Sequence, residues 1–257
     1  MSSTNSALTI ATSRAPAPNE SIMSRSRLPV VVFDGDDTLW ITEPLYDAAR
    51  RAARGVVETA GLSGSRWEDL QRDIDVRNIP RFGLSAARFP TSCRQAYEQL
   101  CAEVGVPPIP NIADAVYSEA AQVFRHVAPL APGAMEVVKA LRTSHRLVLL
   151  TQGDVAVQDK RVDDSGLEPF FDLVRIVPKK DAATLMELLR DLDVDASAAW
   201  MVGNSVPSDV NPALAVGMRA IWVDAHVWEH ERREQASSRV GLTEVDALTE
   251  IPNVIGS

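Results

Sequence analysis

Cysteine is scarce in this chain, which contains only Cys93 and Cys101 among its 257 residues. Their spacing puts both on one apolar face of a predicted helix, together with Ala96, Tyr97, Leu100 and Val104. We therefore predict two buried thiols in a reducing compartment. A disulfide or a metal site formed by the pair is the alternative that the sequence leaves open.

Long hydrophobic runs are also missing. The longest, such as residues 147–150, are far too short to cross a bilayer, so we expect no membrane partner. Residues 1–27 lack a basic region ahead of an apolar one, which argues against a secretory signal. They are rich in Ser, Ala, Thr and Pro without periodicity, so we predict a disordered tail and a cytoplasmic protein. Their Arg and Ser content loosely resembles a transit peptide, and Met23 is an alternative start.

Positive charge is in deficit, because 26 Lys and Arg face 35 Asp and Glu, for a net charge of −9. Such a chain has little with which to neutralise a run of phosphates, so we expect no nucleic-acid partner. A small anionic substrate remains compatible, since it senses only the local field of its pocket. No pattern indicates the oligomeric state. The length allows one large domain, or a core with an inserted domain.

What the sequence does contain is an alternation of strand and helix patterns. Pro29–Phe33 is a largely β-branched run, typical of a strand buried on both faces. Similar runs, some weaker, cover Arg146–Leu150, Leu173–Val177, Ala199–Val202 and Ala220–Val223. Helical patterns between them cover residues 134–141, 154–166, 185–192 and 209–217. The alternation predicts an α/β fold with a Rossmann-like parallel-sheet core and helices on both faces.

One segment breaks this alternation. Residues 44–127 show four amphipathic helical patterns and no convincing strand. Ser65 with Glu68, and Ser92 with Gln95, are capping-box patterns that predict the starts of the second and third helices. We predict an all-helical domain at 44–127, inserted into a core formed by 28–43 and 128–257. Residues 77–83, with two arginines, a proline and a glycine, suit a loop that reaches an anionic substrate, although a plain connecting loop is an equal alternative.

Chemically active side chains cluster just beyond the predicted strands. They are Asp34, Asp36 and Asp37 with Thr38, then Thr151 and Gln152, then Lys179 and Lys180, then Asn204, Ser205 and Asp209. In an open parallel sheet the carboxyl ends of the strands form the ligand-binding edge, so these groups should converge there. Carboxylates gathered at one edge repel each other unless a cation such as Mg²⁺ neutralises them. A lysine and a hydroxyl beside them suit a transferring phosphoryl group.

The sequence resembles the haloacid dehalogenase-like (HAD) hydrolase superfamily. The resemblance rests on four elements in the family's order: VVVFDGDDTLW, LLTQGD, VPKKDAATL and MVGNSVPSDVNPALAVGM. Any one element would be a weak signal, but the four together are specific and span most of the chain. The resemblance implies a phosphatase-type enzyme with Mg²⁺ as cofactor, and the helical insert resembles the family's cap, which closes over the site.

The roles that the resemblance implies are carried over residue by residue. Asp34 resembles the nucleophile and a metal ligand, and Asp36 resembles the general acid and base, with its carbonyl on the metal. Thr151 resembles the hydroxyl that binds the phosphoryl group, with Gln152 next to it as a further phosphate-binding candidate. Lys180 resembles the cation that steadies nucleophile and phosphate. The fourth element contributes the metal-binding candidates Asn204 and Asp209.

Three positions depart from the family pattern or leave a choice. The family often has Gly where Asp37 stands and Asp where Asn204 stands. An amide oxygen still binds Mg²⁺, but the exchange removes one negative charge from the site. Lys180 is preferred as the motif lysine because it directly precedes a predicted helix, and Lys179 is the alternative.

These observations predict a Mg²⁺-dependent phosphatase that hydrolyses a small phosphate monoester through an aspartyl-phosphate. Three alternatives use the same fold. A phosphomutase would return the phosphoryl group to its substrate. A 2-haloacid dehalogenase would need neither metal nor a second acid, so Asp36 counts against it. A non-catalytic binding module would be expected to have lost Asp34, Asp36 or the lysine, and all three are present.

Overall fold

The computed structural model describes residues 12–14, 28–224 and 235–256. Its centre is a seven-stranded sheet built from β1 (Thr12–Arg14), β2 (Val30–Phe33), β3 (Arg146–Gln152), β4 (Leu173–Val177), β5 (Ala199–Gly203), β6 (Arg219–Val223) and β7 (Leu242–Val245). The strand order is β1-β4-β3-β2-β5-β6-β7. Six strands are parallel, and β1 pairs antiparallel with β4 at one edge.

The described residues form nine α-helices. They are α1 (Glu43–Thr59), α2 (Gly64–Phe82), α3 (Arg88–Val104), α4 (Pro110–Ala121), α5 (Ala134–Leu141), α6 (Val155–Ser165), α7 (Ala182–Leu192), α8 (Asn211–Ala215) and α9 (Ile251–Ile255). The first five lie between β2 and β3, and the other four alternate with or follow the later strands. This confirms the predicted Rossmann-like α/β fold. Within the described ranges, no helix combines the length and hydrophobicity that a membrane span requires.

Strand β2 lies at the centre of the sheet and leads directly to the site. All four of its residues are buried, and Val31 lies opposite Leu147 on β3 and Trp200 on β5. β-branched side chains pack well on a pleated sheet that is covered on both faces. The Asp34 amide donates to the Val202 carbonyl at 2.9 Å, which extends the strand pairing by one residue. Asp34 is therefore fixed to the carboxyl edge of the sheet by its own backbone.

The helical bundle α1–α4 has a hydrophobic core of its own. Its centre contains Trp67, Phe89, Tyr97 and Leu100, all almost fully buried. Two other apolar clusters cover the two faces of the sheet, one around Phe33 and Leu149 and one around Val32 and Leu150. The separate cores support the predicted limits of the inserted domain, 44–127, and of the surrounding core domain, which stay a prediction.

The chain leaves the sheet for the bundle and returns from it at one place, which we call the joint (residues 37–43 and 129–131). Ile41 N donates to Pro129 O at 2.8 Å, and Ala131 N donates to Leu39 O at 2.9 Å. The Asp37 carboxylate accepts from Thr42 N at 2.8 Å and from Glu43 N at 3.0 Å. The outgoing and returning segments are thus bonded to each other beside Asp34.

Both predicted capping boxes are misplaced. Helix α2 begins at Gly64, and its cap is Ser63, two residues before Ser65, whose hydroxyl accepts from Arg66 N at 3.3 Å. Helix α3 begins at Arg88, so Ser92 lies inside it and its hydroxyl donates to Arg88 O at 2.8 Å. The Ser-x-x-Glu/Gln pattern is present in both segments, but Ser63 caps α2 instead, and α3 begins at Arg88, which forms an ion pair with Asp75 on α2.

The predicted burial of the two cysteines on one helical face is confirmed, while the reducing compartment stays a prediction. Cys93 and Cys101 are buried and do not form a disulfide, and Ala96, Tyr97 and Leu100 lie in the same core. Burial raises the pKa of the Cys93 thiol, with a smaller contribution from Asp75. Val104 is the exception, because its side chain is 53% exposed at the end of α3.

Two further expectations differ from the structure. Residues 77–82 form the last turns of α2 rather than a loop, and Gly83 ends this helix with φ at 59°. The Arg81 guanidinium lies 4.9 Å from the Phe82 ring centroid. Within the predicted disordered tail, residues 12–14 form β1, while the rest of 1–27 lies outside the described residues. Strand β7 was not predicted, since its mixed exposure at Leu242–Val245 leaves no clear alternation.

Candidate active site

A cleft of about 150 Å³ lies between the carboxyl edge of the sheet and the helical bundle. The predicted site residues Asp34, Asp36, Thr151, Gln152, Lys180 and Asn204 all line it. They come from the ends of four strands that are neighbours in the sheet, β4-β3-β2-β5. Residues up to 170 positions apart in sequence therefore meet in one place, as expected for side chains at the carboxyl ends of parallel strands.

Asp34 is almost fully buried at the base of the cleft. Its Oδ1 accepts from the Lys180 ammonium, and its Oδ2 lies 3.1 Å from the Thr38 hydroxyl. Burial raises the pKa of this carboxyl to about 7, Lys180 opposes the rise, and Asp209 adds to it. One ammonium therefore does not fully compensate the negative charge that the fold places here.

Lys180 lies between two carboxylates. Its ammonium contacts Asp34 Oδ1 and lies 2.5 Å from Asp209 Oδ1. Burial alone would lower the pKa of Lys180, but Asp209 and Asp34 outweigh it and raise the pKa. Lys179 instead points to solvent, with 73% of its side chain exposed and Asp181 as its partner at 3.3 Å. The structure thus places Lys180, and not the alternative Lys179, against Asp34.

Asp209 is the one predicted site residue that does not line the cleft. Its side chain is fully buried behind Lys180, and its Oδ2 accepts from Ser205 N at 3.0 Å. Gly203 makes room for it, because a Cβ at that position would lie 2.1 Å from Asp209 Oδ2. The contacts favour a role in holding Lys180 and the turn after β5. Direct metal binding by Asp209 stays a prediction.

Asp36 is held by three donors on the other side of the cleft. Trp40 Nε1 donates to Oδ1 at 2.6 Å, and Gln158 Nε2 donates to Oδ2 at 2.9 Å. The Arg161 guanidinium forms an ion pair with the same Oδ2. Gln158 and Arg161 were missed in the sequence. The signal that could have found them is their spacing from Asp154, which caps α6 and puts both on one face of that helix.

Thr151 and Gln152 end strand β3 at the cleft. The Thr151 hydroxyl is buried and donates to Gln158 Oε1 at 3.0 Å. Gln152 Oε1 accepts from the backbone of Lys180 at 2.8 Å. Gln152 thus fixes the loop that carries the lysine. Binding of phosphate by either side chain stays a prediction.

Asp37 shows why the family pattern often has glycine at this position. Its φ is 57°, a left-handed conformation that favours glycine and that Asp tolerates when its side chain is bonded locally. Its carboxylate supplies those bonds to the joint, including one from the Thr42 hydroxyl at 2.5 Å. Burial raises the pKa of Asp37, and Thr42 opposes the rise. Asp37 therefore acts in the backbone turn rather than as an acid in the cleft.

The oxygen donors beside Asp34 fit a magnesium ion. Asn204 Oδ1 lies 3.2 Å from the Thr38 hydroxyl, and the same hydroxyl lies 3.1 Å from Asp34 Oδ2, so an amide oxygen and a carboxylate oxygen share one neighbour. In the described part of the chain, no three His, Cys, Asp or Glu side chains form a metal cluster. Mg²⁺ does not require such a cluster, since it keeps several bound waters and takes only a few protein oxygens as ligands. The undercompensated charge at Asp34 is a second feature that a cation would relieve.

Residues 28–217 match the family model of the haloacid dehalogenase-like hydrolases. The chain belongs to this family. The matched range contains every predicted site residue, together with Arg161 and the whole helical bundle. The protein is therefore a hydrolase of the HAD type.

Relatives of known name share most of its length. Pyrimidine 5′-nucleotidase YjjG of Escherichia coli (strain K12) is 27% identical over 239 residues, which cover 88% of this chain and 96% of the relative. A glyceraldehyde 3-phosphate phosphatase of Pyrococcus abyssi (strain GE5 / Orsay) is 28% identical over 202 residues, covering 76% and 81%. The crystal structure of a haloacid dehalogenase-like family hydrolase from Xanthomonas campestris superposes with a TM-score of 0.75 at 26% identity and covers 89% of this chain and 91% of its own.

The bundle side of this HAD cleft has its own polar lining. Arg50 from α1, Arg88 from α3 and Asp75 from α2 reach the cleft, beside the aromatic rings of Tyr46 and Phe89. The rings of Tyr46 and Phe89 pack edge to face with centroids 5.1 Å apart. These residues, rather than those of 77–83, form the helical wall of the site. Sequence reasoning missed them because they come from three different helices, and only packing brings them together.

Proposed function

We propose that this HAD hydrolase is a Mg²⁺-dependent phosphatase that cleaves a small phosphate monoester through an aspartyl-phosphate. The observation that carries the proposal is the arrangement around Asp34. One oxygen of the buried Asp34 carboxylate contacts an ammonium, and the other contacts a hydroxyl that also lies beside an amide oxygen. A second carboxylate lies two residues on in the same cleft. The names of the nucleotidase and phosphatase relatives support the same reaction class.

The first half of the reaction transfers the phosphoryl group to Asp34. One carboxylate oxygen of Asp34 attacks phosphorus, and the bond from phosphorus to the ester oxygen breaks. Asp36 donates a proton to that leaving oxygen, so the alcohol departs neutral. The Lys180 ammonium holds Asp34 in place and lies close enough to offset charge on the phosphoryl oxygens. A Mg²⁺ ion held by Asp34, Asn204 and the Asp36 carbonyl would neutralise phosphate charge.

The second half returns Asp34 to its starting form. Asp36, now ionised, takes a proton from a water molecule, and that water attacks phosphorus. The bond between phosphorus and the Asp34 oxygen breaks, and inorganic phosphate leaves. Arg161 and Gln158 hold Asp36 on one side of the cleft throughout. Thr151, tied to Gln158, is the hydroxyl that we propose binds the phosphoryl oxygens, with Gln152 fixing the lysine loop.

Asp36 also separates this proposal from dehalogenation. A haloacid dehalogenase would transfer a carbon atom to the same nucleophile and would release a halide that needs no proton. The chain instead keeps a second carboxylate in the cleft and ties it to three donors. We further propose that the helical domain at 44–127 acts as a cap over the site and that the protein works in the cytoplasm.

The test measures phosphate release from an aryl phosphate with Mg²⁺ or with a chelator. Wild type is compared with Asp34→Asn, and Asp69→Asn serves as a control that removes an exposed carboxylate elsewhere. We expect activity that needs the metal, falls by at least about 1,000-fold in Asp34→Asn and is unchanged in the control. Activity that survives Asp34→Asn would show that another group is the nucleophile.

A further inference from the structure

The helical wall of the cleft contains charged groups that the proposed phosphoryl chemistry does not use. Arg50 is 7% exposed and Arg88 is 8% exposed, and both line the cleft with Asp75, which is 5% exposed. Burying a guanidinium or a carboxylate costs free energy unless its hydrogen bonds are completed. The fold therefore keeps three costly groups at the end of the cleft formed by the helices.

Arg50 is held at the wall by two partners. Its Nε donates to Gln71 Oε1 at 2.9 Å, and its Nη1 lies 2.5 Å from Asp47 Oδ1. These hydrogen bonds use Nε and Nη1, and the guanidinium lies 5.7 Å from the Phe89 ring centroid at the lining of the cleft. The partner Asp47 is 51% exposed, so solvent screens its charge and leaves Arg50 a cationic group at the wall.

Asp75 has an acceptor in reserve. Its Oδ2 forms an ion pair with Arg88 Nη1. Its Oδ1 is buried without a hydrogen-bond partner among the described residues. A buried carboxylate oxygen calls for a donor, and a hydroxyl or an ammonium of a ligand would supply one. Glu43 also lines the cleft, so the wall presents both signs of charge side by side.

We propose that this wall recognises the far end of the substrate, with Arg50 and Arg88 binding a carboxylate and Asp75 accepting from a neighbouring hydroxyl or ammonium. The inference rests on the proposed phosphatase function, because it concerns the leaving alcohol of the same reaction. Arginine binds carboxylates through paired N–H groups, which suits an anchor at one end of a short molecule. The cleft of about 150 Å³ has room for a short ester whose far end reaches this wall.

Four three-carbon phosphate esters of nearly equal size test this assignment on the wild-type protein. 3-Phosphoglycerate and O-phosphoserine carry the carboxylate with a neighbouring hydroxyl or ammonium. Glycerol 3-phosphate lacks the carboxylate, and 3-phosphooxypropanoate lacks the neighbouring donor. We expect kcat/KM for the better of the first two to exceed that for each of the last two by about 10- to 100-fold. Which of the first two is preferred identifies the donor as hydroxyl or ammonium.

The outcomes separate the two proposals. Equal kcat/KM for all four esters, or hydrolysis of an aryl phosphate without hydrolysis of any of the four, would overturn the carboxylate site and leave the phosphatase standing. No metal-dependent release from any ester would remove the phosphatase proposal and this inference together.

Variants of α1 test the residue itself. Arg50→Gln should lower kcat/KM for the preferred ester at least about 10-fold more than for glycerol 3-phosphate, and Arg50→Lys should give a smaller loss because it keeps the charge. Arg51→Gln is the matched control, since Arg51 is the next residue on the same helix and is exposed. An unchanged ratio in a folded Arg50→Gln protein would overturn the assignment. If that variant does not fold, the four-ester comparison on wild type decides.

Discussion

At the scale of single residues, one ammonium shared by two carboxylates sets the electrostatics of the site. Lys180 contacts both Asp34 and Asp209, and all three are buried. Two negative charges against one positive charge leave the site short of positive charge when no metal is bound. The group that responds is Asp34, whose pKa burial raises to about 7.

This imbalance predicts how stability depends on pH. The pKa of Asp34 in the folded, metal-free protein is about 7, above its ordinary value of 3.8, so the folded state binds a proton more tightly than the unfolded state. The contribution of Asp34 to stability is therefore present at low pH and is lost as the pH rises to about 7, on the order of 1 kcal/mol per pH unit. Denaturant unfolding in chelator at several pH values measures it.

Asp34→Asn is the reference for that measurement, because it keeps the shape and removes the titration. The difference in unfolding free energy between wild type and variant should shift in favour of the variant as the pH rises from about 4 to about 7. Added Mg²⁺ should reduce the shift for wild type. A difference that stays constant with pH would mean that Asp34 keeps an ordinary pKa.

Gly203 has a steric role beside these charged residues. Because its Cβ would lie 2.1 Å from Asp209 Oδ2, Gly203→Ala should displace the carboxylate that holds Lys180 and destabilise the protein by about 1–3 kcal/mol. Activity should fall with it. Gly55→Ala is the control, since no atom lies within 4 Å of the added Cβ and alanine favours a helix by up to about 1 kcal/mol. Equal stability of the two variants, measured by denaturant unfolding, would contradict the steric argument.

The sequence predicted the residues of the sheet edge better than those of the helical wall. Asp34, Thr151, Lys180 and Asn204 each lie at or shortly after the carboxyl end of a strand. Predicting the strands is therefore enough to bring them together at one edge of the sheet. Arg50, Arg88 and Arg161 lie within helices, where charged residues are common. Only the packing of one helix against another decides which of them faces the cleft.

At the scale of elements, α6 links a helix cap to the acid–base group. The Asp154 carboxylate accepts from Ala156 N at 3.1 Å and Val157 N at 3.4 Å, and the same helix carries Gln158 and Arg161 to Asp36. Asp154 Oδ2 also accepts from Ala86 N, in the segment between α2 and α3, at 3.4 Å. The start of this helix is thus bonded both to the site and to the helical domain.

Asp154→Ala should therefore affect stability and activity together. Loss of the cap costs about 1 kcal/mol, and a loosened first turn should lower kcat several-fold because Asp36 is held less firmly. Ser63 caps α2 and does not line the cleft, so Ser63→Ala should destabilise the protein without changing kcat. Thermal unfolding and steady-state kinetics on both variants give the comparison. Equal kcat for the two variants would mean that α6 does not position Asp36.

Prediction of elements succeeded where a pattern reflected burial. Strands β2 to β6 and helix α5 were found from apolar runs, because their burial is imposed by the sheet. The starts of α2 and α3 were wrong because a capping pattern is only one local option. Arg88 forms an ion pair with Asp75 on α2. This contact between two helices starts α3 at Arg88, four residues before the predicted cap at Ser92.

At the scale of the whole molecule, the cleft is bounded by two parts with separate hydrophobic cores. A ligand that fills it contacts both parts and binds only the folded state. Orthovanadate resembles a phosphoryl group, so Mg²⁺ and orthovanadate together should raise Tm by several degrees, more than the sum of their separate effects. Differential scanning calorimetry measures this, with magnesium chloride and sodium sulfate as the control. An additive effect would argue against a shared site.

The topology also determines which parts of the sequence can vary without disturbing the sheet. Because the outgoing and returning segments are bonded to each other at the joint, the sheet receives the same two chain ends whatever lies between them. Insertions, deletions or wholesale replacement of the helices need not alter the register of β2 against β3 and β5. Changes in the helices can therefore alter which leaving group the cleft accepts, while the residues at the edge of the sheet stay in place.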